Sequence, residues 1–108
     1  TIASGFAMAK KMDAKVNGPP KSFFTASLTI LEGALNFINA KQGLIPDNML
    51  IGTYDDHPFL DYMSVKISSV RQDTRRISSV AIDMIFDAIS GMQTVQQKII
   101  KPLMVIRN

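Results

Sequence analysis

The sequence predicts an α/β fold, with a mostly parallel sheet and helices on both of its faces. Short apolar segments alternate along the chain with longer segments whose apolar residues repeat every 3.6 positions. The order is helix, strand, helix, strand, strand, helix, strand, and such alternation is typical of parallel sheets. The 108 residues are 46% apolar and 19% charged, a balance that favours a packed core over a disordered chain.

The first half of the chain predicts two helices around one strand. Ser4 is expected to cap the first helix, and the Asn-Gly-Pro-Pro sequence at 17–20 ends it. Residues 22–26 are short, aromatic and apolar, as in a buried strand. Ser27 or Thr29 can cap the second helix, and Gly43 is the expected stop.

The second half predicts three strands and the longest helix. Residues 49–54 form the second strand, and 57–66 have no clean period, as in a loop or a short helical turn. Residues 67–72 are a third strand candidate, in which Ile67 and Val70 suggest alternation. The long helix covers 73–90, with Asp73 and Thr74 as candidate caps, and 103–106 form the last strand.

Several function classes are disfavoured by composition. Without cysteine there is no disulfide framework and no thiolate site, and the single histidine, His57, offers no metal cluster, so neither a metal nor a cofactor is expected. All glycines are isolated and no G-x-S-x-G sequence occurs, which argues against an enzyme. The net charge of +3 is scattered, so this segment is not expected to bind nucleic acid itself.

No apolar run approaches the roughly 20 residues that a membrane span needs, so no membrane partner is expected. The chain starts at Thr1 without a methionine or a signal peptide, and we expect an excised, cytoplasmic piece of a longer protein.

Polar residues follow the predicted strands, where ligands bind in open α/β sheets. They are Ser27, Asp55, Asp56 and Gln72. A carboxylate at Asp55 could accept hydrogen bonds from two sugar hydroxyls, although aspartate also suits an ordinary turn. Ser27 could hold a hydroxyl or a phosphate at a helix N-terminus, or could simply be a cap. From the residues alone, the turn and the cap are the favoured interpretations.

The run Ile45-Pro46-Asp47-Asn48-Met49-Leu50-Ile51-Gly52-Thr53-Tyr54-Asp55-Asp56, followed by Ile67-Ser68-Ser69-Val70-Arg71-Gln72, resembles the hallmark of the lactose/galactose-repressor (LacI/GalR) family. Ser4-Gly5-Phe6, Pro19-Pro20, Phe23-Phe24-Thr25-Ala26-Ser27 and the final Pro102-Leu103-Met104-Val105-Ile106-Arg107 extend the resemblance over nearly the whole chain. The run from Thr25 to Gly33 is more like the fructose and sucrose repressor branch.

The resemblance implies a fold like that of periplasmic binding proteins, with residues 1–108 as the C-terminal part of the effector-binding and dimerisation core. Helix 73–90 would return to a first lobe that this chain lacks. Asp55 would then hold sugar hydroxyls, and Gln72 would lie near the crossover between the lobes. Ser27 is included among the predicted effector residues for its position at a helix N-terminus at the same edge. Many members have Asn-Asp where this chain has Ser27-Leu28, which leaves the identity of the sugar open.

The implied function is a sugar- or sugar-phosphate-sensing core of a bacterial repressor, whose effector shifts lobe closure and so DNA affinity. DNA would be bound by an N-terminal helix-turn-helix outside this chain. The implied homodimer interface includes Glu32, Leu35 and Tyr62, and the wide apolar face of helix 73–90 also predicts self-association, with that helix misplaced or swapped. The alternatives are a periplasmic sugar-binding protein of a transport system and an inert oligomerisation fragment.

Overall fold

The computed structural model describes residues 1–18, 20–92 and 94–107. Within them lie the helices α1 (Ile2–Val16), α2 (Leu28–Gln42) and α3 (Thr74–Ile89), and the strands β1 (Ser22–Thr25), β2 (Leu50–Tyr54), β3 (Ile67–Arg71) and β4 (Leu103–Val105). A short 3-10 helix, Pro58–Tyr62, lies between β2 and β3. No helix among these residues is long and apolar enough to cross a membrane.

The four strands form one sheet in the order β1-β2-β3-β4. β2 pairs in parallel with both of its neighbours, and the register aligns Thr25 with Thr53 and Thr53 with Ser69. The predicted α/β class with a mostly parallel sheet is confirmed. The sheet gathers the carboxyl ends of β1, β2 and β3 at one edge, since parallel strands end on the same side.

The chain divides into two compact units. The first contains Thr1–Arg71 together with the segment from Met104 onward, and the second contains Gln72–Leu103. The chain therefore leaves the first unit after the end of β3 and returns to it within β4. The unit that carries the sheet edge is built from two separate stretches of sequence.

The core of the first unit lies between α2 and one face of the sheet. Leu31 and Ile38 of α2 are buried against Ile51 of β2 and Ile67 of β3, and Leu60 of the 3-10 helix joins them. On the other side of the sheet, Phe24 and Leu50 are 61% and 73% exposed. The sequence predicted helices on both faces of the sheet. Within the first unit, helices cover one face.

The helices α1 and α2 cross at two glycines. A Cβ atom built on Gly33 would lie 2.0 Å from the carbonyl oxygen of Ile2, and one on Gly5 would lie 2.2 Å from that of Ile30. Beside the crossing, the rings of Phe6 and Phe37 meet edge to face at 5.3 Å. The close approach of the two backbones therefore depends on the absence of side chains at both positions.

Three details of the sequence prediction are wrong. Ser4 does not cap α1: the helix begins earlier, and the Thr1 hydroxyl accepts the Ser4 amide at 3.0 Å. β1 is not buried on both sides, because Phe24 is mostly exposed. In β3 the buried positions are Ile67 and Ser69 rather than Ile67 and Val70, as a period of two requires.

The ends of the other helices agree with the sequence prediction. Ser27 caps α2, Gly43 ends it in a left-handed conformation, and Asp73 caps α3. Asn17 ends α1 with φ 54°, while Pro19 of the predicted helix stop lies outside the described residues, as does Gln93 of the segment after α3. No residue of α3 is buried, and Phe86 and Ile89 are 63% and 75% exposed.

Candidate functional site

A row of buried hydroxyls crosses the first unit directly below the carboxyl edge of the sheet. Thr25, Thr53 and Ser69 are aligned on three adjacent strands and are at most 5% exposed. The Thr25 hydroxyl donates to Thr53 Oγ1 at 2.9 Å, and the Thr53 hydroxyl donates to the Tyr54 carbonyl at 3.0 Å. These three hydroxyl groups are thus hydrogen-bonded within the protein, near the carboxyl ends of the three strands.

Two predicted effector residues follow the carboxyl ends of the neighbouring strands β1 and β2. Ser27 comes two residues after Thr25, and Asp55 comes two residues after its register partner Thr53. Ser27 is half-buried, and its hydroxyl accepts the Ile30 amide at 3.3 Å as the cap of α2. Neighbouring parallel strands therefore bring a hydroxyl, a helix N-terminus and a carboxylate to one part of the edge.

Asp55 has an unusual backbone conformation. Its φ is 72°, in the left-handed region, where aspartate and asparagine are tolerated better than other residues with a side chain. This conformation turns the chain out of β2 and sets the direction of the half-buried Asp55 side chain. Such conformations cost on the order of 1 kcal/mol and persist only where the surrounding structure holds them.

The following carboxylate, Asp56, is held by a dense set of partners. Its side chain is 5% exposed. One oxygen accepts from the Ser69 hydroxyl at 2.6 Å and from Arg107 at 2.8 Å, and the other accepts from Arg71 at 2.8 Å. Arg107 is itself 8% exposed and donates to Asp61 at 2.7 Å. Two carboxylates and two guanidinium groups thus balance each other in charge.

These contacts determine the charge state of Asp56. Burial alone would raise its pKa, but the hydrogen bonds from Ser69, Arg107 and Arg71 outweigh burial and lower the pKa from 3.8 to about 2. Burial would lower the pKa of Arg107, whereas its bonds to Asp56 and Asp61 raise it. The pair is therefore fully ionised at neutral pH, as buried charges require when they are well paired.

Gln72 follows β3 directly and is the first residue of the second unit. It is half-buried. Ser27 and Asp55 belong to the first unit, whereas Gln72 belongs to the second.

The residues predicted for a dimer interface lie on α2 and on the 3-10 helix of the first unit. Glu32 and Leu35 line a groove of about 530 Å³ together with Leu28, Phe59 and Met63. Tyr62, on the 3-10 helix, is 88% exposed and is not among the residues that line the groove. The structure therefore joins two of the three residues in one depression and leaves the third on the surface.

Four residues of the site were missed by the sequence prediction, namely Thr25, Thr53, Ser69 and Arg107, and so was the ion pairing of Asp56. A signal for three of them was present, because alternation places these hydroxyl residues on the same strand faces as the buried Ile51 and Ile67. No sequence pattern around Asp56 predicts its contact with Arg107, because the two residues are 51 positions apart.

Comparisons with known proteins agree with this architecture. A family model described as a periplasmic binding protein-like domain matches residues 1–108. Over 89 residues the chain is 33% identical to the sucrose operon repressor of Klebsiella pneumoniae, covering 82% of this chain and 26% of that protein. Over 100 residues it is 30% identical to the probable HTH-type transcriptional repressor ExuR of Bacillus subtilis, covering 93% of this chain and 30% of the relative.

Among solved structures, the fold is similar to that of the Cra transcriptional dual regulator of Pseudomonas putida in complex with fructose 1-phosphate. The TM-score is 0.85 over all of this chain and 40% of that one, at 18% sequence identity. At this identity the likeness shows the fold alone. The chain spans between about a quarter and two fifths of the length of these three proteins.

Proposed function

This chain belongs to the family of periplasmic binding protein-like domains, and we propose that it is the effector-sensing part of a sugar-responsive transcriptional repressor. The resemblance to the LacI/GalR family that the sequence predicted is confirmed, and the relatives named above are transcriptional repressors rather than enzymes. The observation that carries the proposal is Asp55, held in a left-handed turn at the carboxyl end of β2, the strand next to the one that Ser27 follows.

The proposed effector is a sugar or a sugar phosphate. The Asp55 carboxylate would accept hydrogen bonds from two neighbouring ring hydroxyls, and such charge-assisted bonds are among the stronger ones in proteins. Ser27 and the backbone amides that begin α2 would bind a further hydroxyl or a phosphate. Gln72 is the third proposed effector residue, as the family resemblance implies.

The proposed mechanism is a shift between two arrangements of the lobes. Residues 1–108 would form the C-terminal part of the effector-binding core, and α3 would return the chain to the first lobe. The separation of Gln72–Leu103 from the sheet-bearing unit supports this return, as does the apolar and exposed face of α3. Effector bound between the lobes would favour one degree of closure and change the affinity of an N-terminal DNA-binding module in the cytoplasm.

The repressor function is favoured over that of a periplasmic sugar-binding protein. Both would use the same fold and the same sheet edge, so the site does not distinguish them. The curated relatives named above are repressors, and one carries HTH in its name, which supports the DNA-linked function.

The sugar site is tested by calorimetric titration of the full-length protein with a panel that includes sucrose and fructose 1-phosphate. We expect Asp55→Asn to weaken binding about tenfold or more, because a charged hydrogen-bond acceptor is lost. Asparagine is chosen because alanine at φ 72° would add backbone strain that mimics a lost contact.

The matched control is Asp47→Asn, which removes the same charge from an exposed loop position. Its affinity should equal that of the wild-type protein. Equal affinities in Asp55→Asn and wild type would show that Asp55 is only a turn residue.

Homodimerisation through the groove on α2 is the second part of the proposal. Leu35 is half-buried in this apolar groove, which Glu32 also lines, and the exposed Tyr62 would contact the partner outside the groove. We expect Leu35→Asp to weaken self-association at least about tenfold, since a carboxylate would be buried without a partner. Sedimentation velocity measures the change. Ala40→Asp, exposed on the same helix and outside the groove, should sediment like the wild-type protein.

A further inference from the structure

Asp56 contacts both places at which the chain enters and leaves the first unit. The first stretch of that unit ends at Arg71, and the second begins at Met104. One Asp56 oxygen accepts from Arg71, the last residue before the chain departs, and the other accepts from Arg107, three residues after it returns. A single buried carboxylate therefore joins the two connections within the first unit.

The returning connection is fixed at several further points. The Arg107 amide donates to Ser68 Oγ at 3.1 Å, and its guanidinium donates to the Ile67 carbonyl at 3.1 Å and to Ser69 Oγ at 2.9 Å. These bonds hold Arg107 against β3, but none of them involves Arg71. Among the contacts described for the first unit, Asp56 is the group shared by both arginines.

Asp56 also shares a peptide bond with Asp55. Asp55 holds a left-handed conformation at φ 72°, and its neighbour is held by two guanidinium groups and the Ser69 hydroxyl. The peptide group between them therefore has little freedom to rotate on its own. A rotation of the Asp55 backbone would move the Asp56 backbone and so strain the contacts of the Asp56 carboxylate with Arg71 and Arg107.

We propose that Asp56 is a positioning residue that couples the effector carboxylate Asp55 to both connections of the first unit. The coupling rests on the proposed function of Asp55, whereas the joining of the two connections does not. A bound sugar would hold the Asp55 turn, and Asp56 would pass this restraint to Arg71 and Arg107 together. Both connections would then respond as one element, as a two-state hinge requires.

The joining of the connections is tested first without any ligand, by amide hydrogen exchange of the full-length protein. Asp56→Asn keeps the shape of the side chain and removes its charge. We expect exchange to accelerate about tenfold at both the end of β3 and residues 104–107, because local opening no longer has to break two ion pairs. Faster exchange at one connection alone, or at neither, would overturn the proposal.

Two further variants separate joining from general loosening. Asp61→Asn removes another partner of Arg107 from a side chain that is 61% exposed and does not contact Arg71, so only residues 104–107 should respond. Arg71→Gln breaks one contact at a side chain that is 54% exposed and leaves Asp56 paired with Arg107. It should accelerate exchange at the end of β3 and leave 104–107 protected. Should Asp56→Asn fail to fold, Arg71→Gln decides through the ligand, because loss of ligand protection at the end of β3 alone supports the role of Asp56 and unchanged protection at both connections refutes it.

The coupling to the effector is tested with sucrose or fructose 1-phosphate, whichever binds in the titration. In the wild-type protein the ligand should slow exchange at both connections. In Asp56→Asn at saturating ligand, we expect protection near Asp55 and none at 104–107.

Equal ligand protection of 104–107 in wild type and Asp56→Asn would refute the coupling and leave the sensor function intact. Absence of binding by the wild-type protein would refute the sensor function and with it the coupling to Asp55. The joining of the two connections would then be decided by the ligand-free exchange alone.

Discussion

The Asp56 carboxylate should make the stability of the protein depend on pH in a narrow acidic range. Its pKa in the folded chain is about 2, against the usual 3.8. Because the folded value is the lower one, the ionised form stabilises the fold above about pH 4, and this contribution is lost as pH falls through 2. The difference corresponds to about 2 kcal/mol at pH 7, about half as much at pH 3, and a small remainder at pH 2.

Urea denaturation followed by circular dichroism measures this contribution at pH 7, 5, 3 and 2 and constant ionic strength. Asp56→Asn should lower the free energy of unfolding by at least about 2 kcal/mol at pH 7, since Arg107 also loses its buried partner. The gap between wild type and variant should close towards pH 2. Asp47→Asn, at an exposed position, should follow the wild-type curve throughout. A gap that stays constant from pH 7 to pH 2 would refute the assignment of the low pKa to Asp56.

Two further predictions concern packing in the first unit. Gly33→Ala should lower the free energy of unfolding by about 2 kcal/mol in thermal denaturation, because the clash with the Ile2 carbonyl exceeds the gain of about 1 kcal/mol in helix propensity. Ala40→Gly, exposed on the same helix, measures that propensity separately, and a stabilised Gly33→Ala would contradict the close crossing. Thr53→Val should lower the free energy of unfolding by about 1–3 kcal/mol, because the buried Thr25 hydroxyl loses its acceptor. Thr53→Ser, which keeps the hydroxyl, should recover most of the loss.

Local chemistry explains why the order of elements could be predicted from the sequence. The apolar period of α2, its Ser27 cap and its Gly43 stop are all set within a few residues. The end of β2 was equally local, since Asp55 and Asp56 interrupt an apolar strand. Asp55 could therefore be selected as a candidate from its place at the strand end.

The remainder of the site depends on contacts between distant residues. Which of two adjacent aspartates is buried is decided by Arg107 and Arg71, and no pattern around Asp55 and Asp56 contains that information. The start of α1 was misjudged for a smaller reason. Thr1 and Ser4 are both good caps three positions apart, and a choice between them needs the helix itself.

The discontinuity of the first unit has a consequence for protein synthesis. Chains are made from the N-terminus, and domains generally fold as they emerge from the ribosome. The strands β1, β2 and β3 can pair early, but Asp56 must wait for Arg107 until all of residues 72–103 have been translated. During that interval the Asp56 carboxylate can pair with Arg71 but not with Arg107, which has not yet been translated. A ribosome stalled within α3 would therefore present a first unit without the ion pair between Asp56 and Arg107. Such an incompletely folded chain would be an early target for chaperones or proteases.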